Sequence, residues 1–218
     1  VSGGMTDAEI AATPPLSRPD PVLDRAMQLL LVGSAPVAVP DLARDLGRDP
    51  GEVAAAVRSF EEVGRLRRDG HGAITAAAGL GVVPDDYELR ASGRRWWAWC
   101  AKTGLGVLAA LAAGGSLRGR SPDTGEPLRV DFDGAEPRPT ACAVLWPHER
   151  LQNSCSSAGE LCAAYTLFAD ADGAAAWAVA RSVDAEVVTV AEAVRRALPR
   201  YRHSLGPSVR LVTGVAGD

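Results

Sequence analysis

The chain has 218 residues, enough for one large domain or two small ones, with 47% hydrophobic and 23% charged residues in an ordinary globular balance. A formal net charge of -4 argues against general affinity for nucleic acid, whose phosphates call for a basic excess. No apolar run reaches the roughly 18 residues of a membrane span, and no secretory signal opens the chain, so a cytoplasmic protein is expected.

The first 19 residues, rich in Gly and Pro, read as a disordered tail. Pro21 to Leu31 then carries apolar residues at helical spacing behind a proline start. A short second helix fits Pro40 to Leu46, closed by Gly47, and a third begins at Asp49-Pro50 with Val53, Ala56, Val57, Phe60 and Val63 on one face. Leu66 to Ile74 suits a hairpin turning at Asp69-Gly70. Three helices and a hairpin describe a winged-helix-like unit over residues 20–78. Its third helix offers Glu52, Arg58, Glu61 and Glu62 to solvent, so a structural role is expected ahead of DNA binding.

A second domain is expected over residues 79–218. Its first element is read as a long helix from Ser92 or Gly93 to Ala113, broken at Gly104 and Gly106, where a pocket could open. Leu117 to Arg120 and Leu128 to Phe132 are expected strands around the turn Pro122-Asp123-Thr124-Gly125. Ala141 to Trp146, Leu161 to Phe168 and Glu186 to Val190 are further strands, with helices over Ala174 to Val179 and Ala191 to Arg202. The whole is an α+β fold, and no Gly-rich strand-to-helix turn supplies a dinucleotide site.

Four cysteines, at 100, 142, 155 and 162, include no Cys-x-x-Cys pair and lack zinc-ribbon spacing. Free thiols are expected rather than disulfides. Ser154 and Ser156 lack the Gly-x-Ser-x-Gly elbow of a serine hydrolase.

Several fragments stand in a telling order: Tyr87-Glu88-Leu89-Arg90, Trp97-Ala98-Trp99-Cys100-Ala101, Thr124-Gly125-Glu126-Pro127-Leu128, and Phe168-Ala169-Asp170 with Trp177 beyond. Through them the chain resembles the alkylmercury lyases across about residues 20 to 200, as a divergent member. The resemblance implies a winged-helix-like N-terminal region, a mixed α/β catalytic region, and cofactor-free protonolysis of a carbon–mercury bond by two cysteines and an acid. Thiolate sulfur suits such chemistry because it is soft and binds soft metals.

Carried over residue by residue, the resemblance places the first catalytic cysteine at Cys100 and the acid at Thr103, a hydroxyl that cannot store a proton as a carboxylate does. A further family cysteine falls on Ser121. The second catalytic cysteine falls on Ala163, beside Cys162, and on a strand those two would face opposite ways. Cys155, in the loop before it, is the other thiol that could reach the pocket. Asp123 and Glu160 are candidate replacement acids, and His148 a candidate base. The residues proposed for catalysis are therefore Cys100, Thr103, Cys162 and Cys155, with Cys100 and Cys162 as the soft-metal ligands. The expected partner is a small-molecule or organometallic ligand, without membrane association or a cofactor. The competing reading is a noncatalytic small-molecule or metal-sensing regulator that contacts DNA through the N-terminal unit.

Overall fold

A computed structural model describes residues 15–206, together with Thr6, Ala8 and Val209. Most of the expected N-terminal tail lies outside these residues, but Pro15–Ser17 form a single 3₁₀ turn that packs into the molecule.

Helix α1 (Pro21–Gly33) starts where the Asp20 carboxylate accepts the Val22 amide hydrogen at 2.8 Å and Pro21 supplies a donor-free first position. It buries Leu23, Ala26, Met27, Leu30 and Leu31 in the main core. Helix α2 (Val39–Leu46) ends on Gly47 at φ +62°, and α3 (Pro50–Glu62) is capped by Asp49. The hairpin follows as β1 (Leu66–Arg68) and β2 (Ile74–Ala77), with the Asp69 carboxylate accepting from the His71 and Ala73 amides in the loop.

β2 also pairs with β3 (Leu80–Gly81), which pairs with β5 (Arg94–Ala98), then β4 (Tyr87–Ala91), β6 (Gly115–Arg120), β7 (Pro127–Asp133) and β8 (Glu136–Pro137). One eight-stranded sheet therefore runs without interruption across the expected division at residues 78 and 79. A second sheet has the order β10 (Leu167–Phe168), β9 (Ala143–Pro147), β11 (Ala185–Thr189). Helices α4 (Ala101–Leu111), α5 (Glu149–Ser154), α6 (Ala158–Ala163), α7 (Ala171–Ala180) and α8 (Val190–Leu205) complete the α+β fold. No helix among the described residues is long and apolar enough to cross a membrane.

Three expectations need correction. The long helix from residue 92 is instead the β4–β5 hairpin followed by α4. Ser92 and Gly93 take left-handed conformations, φ 49° and 73°, and turn the chain in two residues. Burial alternates on both sides, with Tyr87, Leu89 and Ala91 facing the core from β4 and Trp96 and Ala98 from β5.

Gly104 and Gly106 do not break α4. They permit close packing: a Cβ on Gly104 would stand 2.3 Å from Leu117 Cδ1, and one on Gly106 2.2 Å from Tyr201 Cδ2. Helix propensity is surrendered here for contact with β6 and α8.

Leu161 to Phe168 is not a strand. Residues 158 to 163 form α6, started by the Ser157 hydroxyl accepting the Glu160 amide hydrogen at 3.3 Å, and only Leu167–Phe168 is extended. The Ser-x-x-Glu spacing at 157 and 160 is a helix-start signal that outweighs the apolar run after it.

Candidate functional site

The sheet and helices converge on a cavity of about 50 Å³ between β5, α4, α6, α8 and the Pro15–Ser17 turn. Trp99, Leu161, Tyr165, Tyr201 and Leu16 supply its apolar walls, and Cys100, Cys162, Thr103, Lys102 and Arg200 its polar groups. No carboxylate lines it among the described residues.

Cys100 occupies the joint between β5 and α4, in the N-cap position with extended backbone. It is 2% exposed. The expectation that Cys162 points away from it fails with the strand assignment. On α6, Cys162 lines the same cavity as Cys100, close enough that the two thiols influence each other's ionisation.

That contact divides the protonation states. Cys100 is lowered to about 7, first by the Cys162 hydrogen bond and against the penalty of burial, with help from the Thr103 hydroxyl and amide and the Lys102 charge. Cys162 is raised well above the ordinary thiol range by the same bond and by burial. The pair thus favours one thiolate and one protonated thiol near neutral pH.

Thr103 lies one helical turn on, its hydroxyl oxygen 3.4 Å from Cys100 Sγ. The Tyr201 hydroxyl donates to that oxygen at 2.8 Å, which leaves the Thr103 hydrogen free to point at sulfur. Gly79, at φ +89°, makes room: a Cβ there would come within 2.5 Å of the Thr103 hydroxyl. Tyr201 is itself held protonated, its pKa raised chiefly by burial.

Lys102 extends to the same cavity, donating to Tyr165 Oη and Ser17 Oγ, both at 3.3 Å. Burial pulls its pKa down to about 8, and the two neighbouring sulfurs work in the opposite direction. Arg200 tethers the Pro15–Ser17 turn, donating to the Ser17 carbonyl at 2.9 Å and pairing with the Asp24 carboxylate at 3.0 Å. Tyr165, Tyr201 and Ser17 were not singled out by sequence reasoning. Lys102 sat beside Cys100 in sequence, but the tyrosines enter from elements about 60 and 100 residues away, and no local pattern marks them.

The other candidates lie elsewhere. Cys155 follows α5, where its thiol donates to the Leu151 carbonyl at 3.2 Å, and it is not among the residues lining the cavity. Asp123 is bound by the Ser121 hydroxyl, which holds its carboxyl below the usual range. Glu160 accepts from the Ser156 amide at 2.8 Å. His148 Nδ1 meets Asp184 at 2.9 Å on the surface. Ala163 lies beside Cys162 in a neighbouring depression with Tyr87 and Trp177. Of the tryptophans near Cys100, only Trp99 lines the cavity, under the Arg67 guanidinium at 4.3 Å; Trp96 is core.

Among the described residues no cluster of three or more His, Cys, Asp or Glu could hold a metal ion. The fold and site together define a thiol-pair protein built on an α+β scaffold. The alkylmercury lyase (MerB) family profile matches residues 80–201, and the chain belongs to that family. It is 24% identical over 132 residues to the alkylmercury lyases of Bacillus cereus and Clostridium butyricum, a match covering 58% of this chain and 59% of each relative. In three dimensions it is similar to the crystal structure of the mercury-bound form of MerB2, with a TM-score of 0.74, 22% identity, and coverage of 90% of this chain and 95% of that one.

Proposed function

We propose that this protein cleaves the carbon–mercury bond of small organomercurials by protonolysis, with Cys100 as nucleophile and Cys162 as both proton donor and second sulfur ligand. The observation that carries this reading is that Cys100 and Cys162 line one buried cavity, with the Thr103 hydroxyl 3.4 Å from the Cys100 sulfur; the pair's opposite pKa directions fit it. The reaction needs both forms at the outset. The Cys100 thiolate displaces the exchangeable ligand X⁻ from R–Hg–X, giving R–Hg–S–Cys100. The Cys162 S–H proton then passes to the carbon as the carbon–mercury bond breaks. The products are R–H and mercury(II) held between two thiolate sulfurs, with atoms and charge conserved.

The surrounding groups support this sequence. The Tyr201–Thr103 hydrogen-bond chain ends at the Cys100 sulfur, and the Lys102 ammonium favours the second thiolate as it forms. Thr103 positions and donates; it does not store the reacting proton. Cys155 has no part in this scheme. The reading predicts methane release from methylmercury with excess free thiol, measured by headspace gas chromatography. Cys100→Ser and Cys162→Ser should each fall to the thiol-only background, and a wild-type rate equal to that background would sink the proposal.

A second reading, a sensor that binds an organometallic ligand without turnover, draws on the lack of a cavity carboxylate among the described residues. Stoichiometric binding with no alkane release would favour it. We also read α1–α3 and the β1–β2 hairpin as a winged-helix-like scaffold. In the hairpin, Arg67 pairs with Asp85 and Arg68 with Glu61, so these cations are already engaged within the protein.

A further inference from the structure

The outer face of the main sheet, opposite the face covered by α4, carries a groove of about 640 Å³. Arg90, Arg94, Arg95, Arg118 and Arg129 line it, and no lining residue among the described ones is acidic. This is unexpected in a chain with four more acidic than basic residues. We infer that the groove is a binding site for a small ligand bearing adjacent phosphate groups, such as a polyphosphate chain.

Strand register gathers these charges. Arg90 stands opposite Arg95 across β4 and β5, and Arg118 opposite Arg129 across β6 and β7. Like charges directly opposed on adjacent strands oppose folding, so the unliganded sheet bears an electrostatic cost here. Two carboxylates relieve it in part: Glu88, which stands opposite Arg118 across β4 and β6, pairs with Arg90, and Asp131 pairs with Arg129 at 2.7 Å. Arg94 donates to the Val32 carbonyl and Arg95 stacks on Trp97 at 5.0 Å. Arg118 is different. Its Nε is shielded from solvent and has no hydrogen-bond partner. A shielded guanidinium donor without an acceptor is costly, and an oxyanion in the groove would satisfy it.

Arginine suits phosphate because its planar fork donates two parallel hydrogen bonds to two oxygens. Several forks on neighbouring strands can serve successive phosphates. The groove has the size of a small-molecule site rather than of an extended nucleic-acid track. It lies across the sheet from the thiol cavity and shares no lining residue with it, so this inference stands whether or not the protein cleaves carbon–mercury bonds.

Titration calorimetry of the whole chain with sodium tripolyphosphate and with sodium sulfate, at matched ionic strength, tests the site. Tripolyphosphate should bind with 1:1 stoichiometry and at least tenfold more tightly than sulfate. Arg118→Met keeps the aliphatic stem and removes the fork, and it should weaken tripolyphosphate at least tenfold. The far-ultraviolet circular dichroism of this variant should match wild type. Arg95→Gln, on the opposite strand pair, should weaken it severalfold and serves if Arg118→Met fails to fold. Equal affinity for tripolyphosphate and sulfate would overturn the inference. So would unchanged affinity in the folded variants, or a single-stranded oligonucleotide binding more tightly than tripolyphosphate through the same arginines.

Discussion

Replacing Thr103 with valine keeps the side-chain shape and removes the hydroxyl between Tyr201 and Cys100. A hydrogen bond to a charged group contributes about 1.5–3 kcal/mol. At about 1.4 kcal/mol per pKa unit, its loss raises the Cys100 pKa by about one to two units. From a starting value of about 7, the thiolate population at pH 7 falls from about one half to between a tenth and a hundredth. Iodoacetamide labelling of the Cys100 peptide, followed by mass spectrometry across pH 5 to 10, reads that midpoint without requiring turnover. The variant also strands the buried Tyr201 hydroxyl, costing about 1–3 kcal/mol of stability. Thr103→Val with Tyr201→Phe should recover part of that stability while leaving the labelling midpoint high. A midpoint unmoved in Thr103→Val, in a protein destabilised as expected, would refute the claim that the hydroxyl stabilises the thiolate.

Gly106→Ala should lower stability by about 1–3 kcal/mol through overpacking, offset by about 1 kcal/mol of helix propensity, because the added Cβ meets the Tyr201 ring. Thermal melting checks the sign, and a melting point above wild type would contradict the packing. Asp24→Ala should cost about 3–5 kcal/mol by leaving Arg200 without its carboxylate in a largely buried pair, measured by urea unfolding. Cys155→Ser keeps a donor for the Leu151 carbonyl and should leave the Cys100 labelling profile unchanged. The Cys100 shift also has a stability signature. A thiol whose pKa is depressed on folding adds stability above its ordinary pKa and loses it as pH falls through about 7. The stability advantage of wild type over Cys100→Ala should therefore widen from pH 7 to pH 9, measured by denaturant unfolding at each pH.

The elements that were legible in sequence are those whose start, stop and period agree. Asp20-Pro21, Asp49-Pro50 and Gly47 mark helix ends, and the α1 apolar stripe has one period throughout. Strands β6 and β7 follow from their alternation around a strong turn. The failures came where an apolar run was read without its boundary chemistry. Ser92-Gly93 was taken as a helix start when its left-handed pair makes a hairpin turn. The run after Leu161 was taken as a strand although Ser157 and Glu160 cap a helix. That error moved Cys162 out of the site, since a one-residue offset reverses facing on a strand but turns a helix by only about 100°. Cys100 and Thr103 were legible through the family resemblance, and the structure brings them together across one helical turn. Tyr201 was not, because only the packing of α8 on Gly106 brings it there.

If Thr103 stands where the resemblance puts the family's acid, a hydroxyl there changes the electrostatics of the cavity as well as its proton inventory. A carboxylate beside Cys100 would repel the thiolate unless it held a proton. Here the Cys162 S–H, the Thr103 hydroxyl and amide, and the Lys102 ammonium all favour negative sulfur, and burial alone opposes it. Under the proposed function, the nucleophile would then need no separate base at neutral pH. In that scheme the consequence falls on the second half of the reaction, where the proton would come from Cys162. In the same scheme its raised pKa would keep that proton in place until mercury on Cys100 draws the second sulfur in. Thr103→Asp separates the two effects. It should raise the Cys100 labelling midpoint, and under the proposed function it should rescue some alkane release from Cys162→Ser by supplying another proton carrier. Release that stays at background in a folded Thr103→Asp/Cys162→Ser protein would mean that Cys162 is needed as a sulfur ligand even when another group can carry the proton.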